Sequence, residues 1–350
     1  MKMTIRYFKQ HSRSTLIRFA IITFICLVAI TLLTQGILDE YHRDREYAYL
    51  HSQYYGHTYN WYVRPGLGLH VFILTILCTG LPMVEMSAFN NRKYLDSAFS
   101  FPISRVSMLS VNLINGYLQF LIAYTVSFVW YAIRLAPCAD KLYFVPLWGF
   151  FLISLLYSLF LYCFNAFFFS LCNSTVDGTI TALSWQHILC PIMFTLYDMF
   201  DISAKNFDLD VLFFGIAWYP LGVISEAYGD AAAGFSGFYE DVKGIVITTI
   251  VVSVLAIVFC LGTLFFFGRK RAESAGEISN TAVSYKLLIP VCSAMLLYWA
   301  LEGGGGIVSL FAMIFSTVSY IIYRRGVRLK AFDIVVIGVC FACFVMGLMA

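Results

Sequence analysis

Long apolar runs alternate with short polar or basic connections along the 350 residues of this chain. Residues 17–34, 66–84, 108–135, 142–172, 179–200 and 245–267 each approach or exceed the roughly 20 apolar residues that carry a helix across a bilayer core about 30 Å thick. Three more runs follow, at 287–301, 307–323 and 332–350, with a glycine tract at 303–306 joining the first two as a hairpin. The last run ends in apolar sequence with no polar flank, which leaves open a longer parent protein. Ahead of the first run, residues 1–16 mix Lys2, Arg6, Lys9 and Arg13 with Ile5, Tyr7 and Phe8. This mixture predicts an amphipathic elbow helix lying on the membrane surface, with a plain topogenic tail as the competing reading. Residues 35–65 read as a polar outer loop. Within a second outer segment, 201–244, the apolar core 211–224 is too short to cross and is interrupted by Pro220, so it reads as a re-entrant or interfacial helix.

Composition agrees with this pattern: 60% of the residues are hydrophobic and 12% charged, against about 25% charged in soluble domains. The expectation is an all-α polytopic integral membrane protein. Placing the N-terminus inside puts sixteen of the 23 basic residues on the inner side and seven outside, the asymmetry that the positive-inside rule demands. The resulting nine-span layout divides into a six-span core at 17–268, a basic cytoplasmic linker at 269–286 and three additional C-terminal spans at 287–350.

The inner connection at 85–107 is the richest in local signals. It carries Arg92, Lys93 and Arg105, is broken by Pro102, and offers Ser104 and Ser107 as caps for the next helix. Tyr94, Leu95, Ala98 and Phe101 fall on one helical face, suited to lying on lipid or filling a groove on a soluble partner. Glu85, two turns before Arg92, reads as an ion-pair partner of that arginine.

Elsewhere the chemistry is sparse. There is no G-x-x-x-x-G-K-[ST] stretch, so the chain cannot cradle a nucleotide through a P-loop. Neither a catalytic constellation nor a metal-ligand pattern stands out among the six histidines and ten cysteines; His51 and His57 are read as ordinary outer residues. Asp198, Pro220 and Glu226 are candidates for an outer gate, with solvated rim positions as the alternative. Tyr157, Phe160, Phe164, Phe167 and Phe168 recur at helical spacing and read either as packing or as an apolar seam between two copies.

Two patches carry a family resemblance. The run from Asp96 to Arg105, with Pro102-Ile103 inside it and Asn112 and Gly116 beyond, resembles the inner loop between the second and third spans of permease subunits from exporter-class, type-2-like bacterial ABC transporters. Gly268-Arg269-Lys270-Arg271-Ala272-Glu273-Ser274-Ala275-Gly276 is similar to the basic end of that family's sixth span. The resemblance implies a six-span exporter bundle with outer re-entrant helices, in the cytoplasmic membrane of a bacterium, N-terminus inside. It also implies a non-catalytic transport subunit that moves an amphipathic peptide, drug or lipid-like substrate. Tyr94, Leu95, Asp96, Ala98, Phe101, Pro102 and Arg105 would couple it to a separate ABC ATPase subunit, which would hold the Mg-ATP that this chain does not bind. A second permease half, identical or related, and membrane lipid complete the implied partners; nucleic acid is not among them. The rival reading is a membrane sensor or resistance protein that binds a peptide outside without moving it.

Overall fold

The computed structural model describes residues 2–55, 62–92, 103–199, 218–234, 238–270, 275–277, 281–299, 305–324 and 329–349. Helix α1 spans Lys2–Ser14 and α2 Leu16–Tyr55; α3 is Gly68–Ser87, α4 Arg105–Leu135, α5 Phe144–Ser170 and α6 Thr175–Met199. They are followed by α7 (Trp218–Ala232), α8 (Phe238–Arg269), α9 (Leu287–Trp299), α10 (Gly305–Arg324) and α11 (Ala331–Met349). No strand occurs among the described residues. Helices dominate for a physical reason: in lipid every backbone N–H and C=O must find its partner within the segment itself. Five stretches, Leu16–Tyr54, Gly68–Asn90, Arg105–Cys138, Phe144–Ser170 and Thr249–Arg269, are long and apolar enough to cross a bilayer. The chain is a multi-pass helical membrane protein.

Helix α3 lies at the heart of the bundle, between α4 and α5, while α8 packs along α5 and α2 along α4. The α4–α5 contact is aromatic, with Tyr124 and Phe128 of α4 stacked on Phe151 of α5 at ring-centroid separations of 6.0 and 4.7 Å. Further along α5, Phe164 meets Phe259 of α8 edge-on at 5.2 Å and Phe168 stacks on Trp185 of α6 at 5.2 Å. The phenylalanine row of α5 therefore packs within its own chain, the first of the two readings its spacing allows.

The region read as an outer loop differs most from expectation. Residues 35–55 continue α2 without a break, so the helix has 40 residues and a length of about 60 Å, roughly twice a bilayer core. The physical reason is the absence of a breaker: no glycine or proline occurs between Ile37 and Tyr55, and Gly56 is the next. Side-chain pairs one turn apart, such as Gln35 Nε2 to Asp39 Oδ1 at 2.9 Å, support the polar half. Tyr41 ties it sideways by donating to Asp140 in the α4–α5 turn, at 3.0 Å.

At that same end, α7 covers α5 and α3 through Leu221, Ile224 and Tyr228. Tyr143 N donates to Ala232 O at 2.7 Å, and Gly234 turns the chain at a φ of +82° that favours glycine. Helices α9 to α11 form a smaller unit with its own core of Tyr285, Ile289 and Tyr320. Arg324 clasps Asp333 through Nε and Nη2 at 2.9 and 3.0 Å, pinning α10 to α11. The unit meets the larger bundle mainly through α6, where Tyr285 donates to Asp177 Oδ1 at 2.8 Å and Trp185 Nε1 to Val283 O at 3.0 Å.

Candidate functional site

Polar side chains gather at one end of the bundle, where α1, the start of α2, the last turn of α3 and the start of α4 converge; we term this the basic end. Its centre is Glu85, whose side chain is only 1% exposed. Leaving a carboxylate so deep without compensation is costly, and three side chains from three elements supply it. Arg18 of α2 donates from Nη2 to Oε1, His11 of α1 contributes Nε2 at 2.8 Å from Oε2, and Asn115 of α4 approaches Oε1 at 3.4 Å. Gln119, one turn beyond Asn115, accepts from Arg18 Nε at 3.1 Å and so fixes the guanidinium.

The same α4 face holds α1 in place. Tyr7 donates to Asn112 Oδ1 at 3.1 Å, Ser12 to Asn115 Oδ1 at 2.9 Å, and Thr15 Oγ1 accepts from Asn115 and Gln119 at 3.1 and 2.9 Å. Gly116 lets α3 and α4 approach, because a Cβ there would stand 2.5 Å from Tyr162 Oη and 2.8 Å from Glu85 Cγ. A cleft of about 570 Å³ opens beside Glu85 between α1 and the ends of α3 and α4. The arrangement corrects the sequence reading, in which Glu85 pairs with Arg92: the partners are Arg18 and His11. Sequence periodicity held a usable signal, since Asn112, Asn115, Gly116 and Gln119 fall at i, i+3, i+4 and i+7 inside an otherwise apolar run.

Next to this network, Lys270 follows the last residue of α8. Its ammonium donates to Asn90 Oδ1, past the end of α3, at 2.8 Å and to the carbonyl of Cys172, past the end of α5. Its own carbonyl accepts from Arg105 Nη1, at the start of α4, at 3.1 Å. One residue thus joins the ends of four helices. Burial holds the Lys270 amine down at about 8, because a desolvated ammonium is less stable than a desolvated amine. Asn90 is buried, and its Nδ2 has no hydrogen-bond partner among the described residues. Gly276 N donates to Asn173 O at 2.8 Å, drawing part of the 269–286 linker onto the turn before α6.

Of the residues expected to couple to an ATPase, Arg105 is placed as just described, and Ser104 caps α4 by accepting from Ser107 N at 3.1 Å. Tyr94, Leu95, Asp96, Ala98, Phe101 and Pro102 lie outside the described residues. For the outer gate, Glu226 is exposed on α7; Pro220 and Asp198 fall in α7 and α6, and their side chains lie outside the described set. The described part of the molecule does not bring these three together.

The opposite end holds one polar residue that sequence reasoning passed over. His70 of α3 is 1% exposed, and neither ring nitrogen has a hydrogen-bond partner among the described residues. Aromatic rings surround it, with Tyr131 at 4.4 Å, Phe128 at 5.3 Å and Tyr124 at 6.4 Å, all edge-on. Midway between the ends, Asn165 and Gln186 bond to each other at 2.6 Å and both reach Thr79, linking α5, α6 and α3. Comparison of the chain with protein-family models, with curated proteins and with solved structures returns no match.

Proposed function

We propose that the chain is the membrane subunit of an ATP-driven exporter, receiving mechanical work from a soluble ATPase through the connection between α3 and α4. The observation that carries this reading is the convergence of the two sequence patches behind the family resemblance. Arg105, which closes the first, donates to the backbone of Lys270, which lies in the second. Asn90, on the other side of the connection, accepts from the same lysine. Both stems of the 91–104 segment are therefore anchored to helix ends, and the Glu85 network behind them joins α3 and α4 to α1 and α2. A force applied to such a segment would be delivered to four helices as one body, which is what rigid-body alternating access requires.

On this reading the basic end faces the cytoplasm, a second permease half completes the transporter, and the substrate is amphipathic. The test is purification from membranes in mild detergent, with ATP hydrolysis measured on the complex. Wild type is expected to retain a soluble ATPase and stimulate it. Deleting residues 97–104 is expected to abolish stimulation while leaving membrane insertion intact, and full coupling by the deletion would overturn the assignment. The sensor reading draws support from the outward extension of α2, which exposes Tyr47, Leu50 and Tyr54. Tight binding of an external peptide by a chain that retains no ATPase would favour it.

A further inference from the structure

Along the outside of the bundle, an open groove of about 650 Å³ runs between α2 and α4. Its walls are Phe24, Val28 and Leu32 on one side and Val126, Val129 and Ile133 on the other. The groove lies within two bilayer-crossing stretches and follows α2 from Phe24 to Leu32, about 12 Å. The Trp130 indole, which also lines it, is turned by its N–H bond to Thr31 Oγ1 at 3.0 Å. That bond occupies the indole N–H and the Thr31 hydroxyl; the other polar lining residue is Thr125, and every remaining lining side chain is hydrocarbon.

At the end of the groove, immediately past Ile133 and Leu32, its chemistry changes. Arg134 of α4 reaches across to α2, donating from Nη2 to Gln35 Oε1 at 2.9 Å and from Nε to Thr34 Oγ1 at 3.4 Å. These bonds orient the guanidinium but do not neutralise it. No carboxylate lies within ion-pair distance of it among the described residues, and Nη1 has no partner there. A half-buried, oriented guanidinium with unspent donors is complementary to a phosphate. Its position above a carbon-lined groove, where the apolar run of α2 gives way to polar sequence, matches the division of a phospholipid into headgroup and chain.

We infer that this groove is a phospholipid site, with an acyl chain between α2 and α4 and the phosphate on Arg134. The occupant is a lipid and not a second copy of the chain, because a helix laid over the groove would bury the Arg134 charge without a counterion. The site does not depend on the exporter reading and would stand if that reading failed.

The test is native mass spectrometry of the full chain after detergent exchange, with total phospholipid measured on the same samples. Wild type is expected to keep a phospholipid. Arg134→Gln removes the phosphate contact and Val129→Phe fills the groove without touching the arginine. Each is expected to lower retention on the order of tenfold, for Arg134→Gln the scale of a lost charge-assisted bond and for Val129→Phe that of lost acyl-chain burial. Circular dichroism and gel filtration check that both variants remain folded. A wild-type protein stripped clean, or retention in either folded variant equal to wild type, would overturn the proposal. So would efficient disulfide-linked dimers from Val129→Cys, which would assign the groove to a second copy.

Discussion

Glu85 and His70 occupy opposite ends of α3, are about equally buried, and are treated in opposite ways by their surroundings. Glu85 is met by Arg18, His11 and Asn115, with Gln119 behind them. His70 is met by three aromatic edges, and neither ring nitrogen has a described partner. Glu85 is thus held in a network in which each polar group depends on the others, His70 by the packing of the rings around it. A network of that kind specifies one arrangement of helices, because a small shift leaves charge uncompensated; apolar ring contacts tolerate small shifts. The difference teaches where to expect definition and where tolerance.

Removing the cation from the network should give the largest effect. Arg18→Leu leaves the Glu85 carboxylate with only His11 and Asn115 and is expected to destabilise the protein by about 3 kcal/mol, toward the low end for a broken buried pair because Arg18 is partly exposed and those two partners remain. Unfolding in detergent measures it, and the double variant Arg18→Leu/Glu85→Leu should recover much of the loss. At the far end the sign should reverse. His70→Leu removes two unsatisfied ring nitrogens and is expected to leave stability unchanged or raise it by about 1 kcal/mol. A marked loss would show that His70 has a polar partner and that the contrast is false.

A third test of the comparison comes from pH at Lys270, in the polar cluster beside Glu85. Its amine, held at about 8 by burial against an ordinary value of 10.5, binds fewer protons in the folded chain than in the unfolded chain between those values. The folded state is therefore penalised at lower pH, and its stability should rise as pH increases through that window. Lys270→Met should flatten this dependence, and amine-directed labelling of the native protein should show Lys270 turning reactive near pH 8.

Much of the fold was legible because it rests on local rules. Apolar length located the helices, basic residues followed by mixed polarity located α1, and the serine before α4 located its cap. Residues 35–55 were misread because polarity in a membrane protein resembles a loop, although the lack of glycine and proline from Ile37 to Tyr55 pointed to helix. The partner of Glu85 was misread for a different reason. Arg92 is close in sequence, whereas Arg18 and His11 arrive only once α1 folds back against α4, and no spacing rule encodes that approach. The convergence of Arg105, Lys270 and Asn90 lay equally beyond local inspection, since those residues are separated by up to 180 positions.

The unbroken run of α2 has a mechanical corollary. A rod about 60 Å long, pivoting near Arg18, moves its opposite tip by about 1 Å for every degree of tilt. Rearrangements around Glu85 too slight to alter the bilayer-embedded contacts would therefore be amplified into readily measured displacements at Tyr54, making that tip a natural place to attach a distance probe.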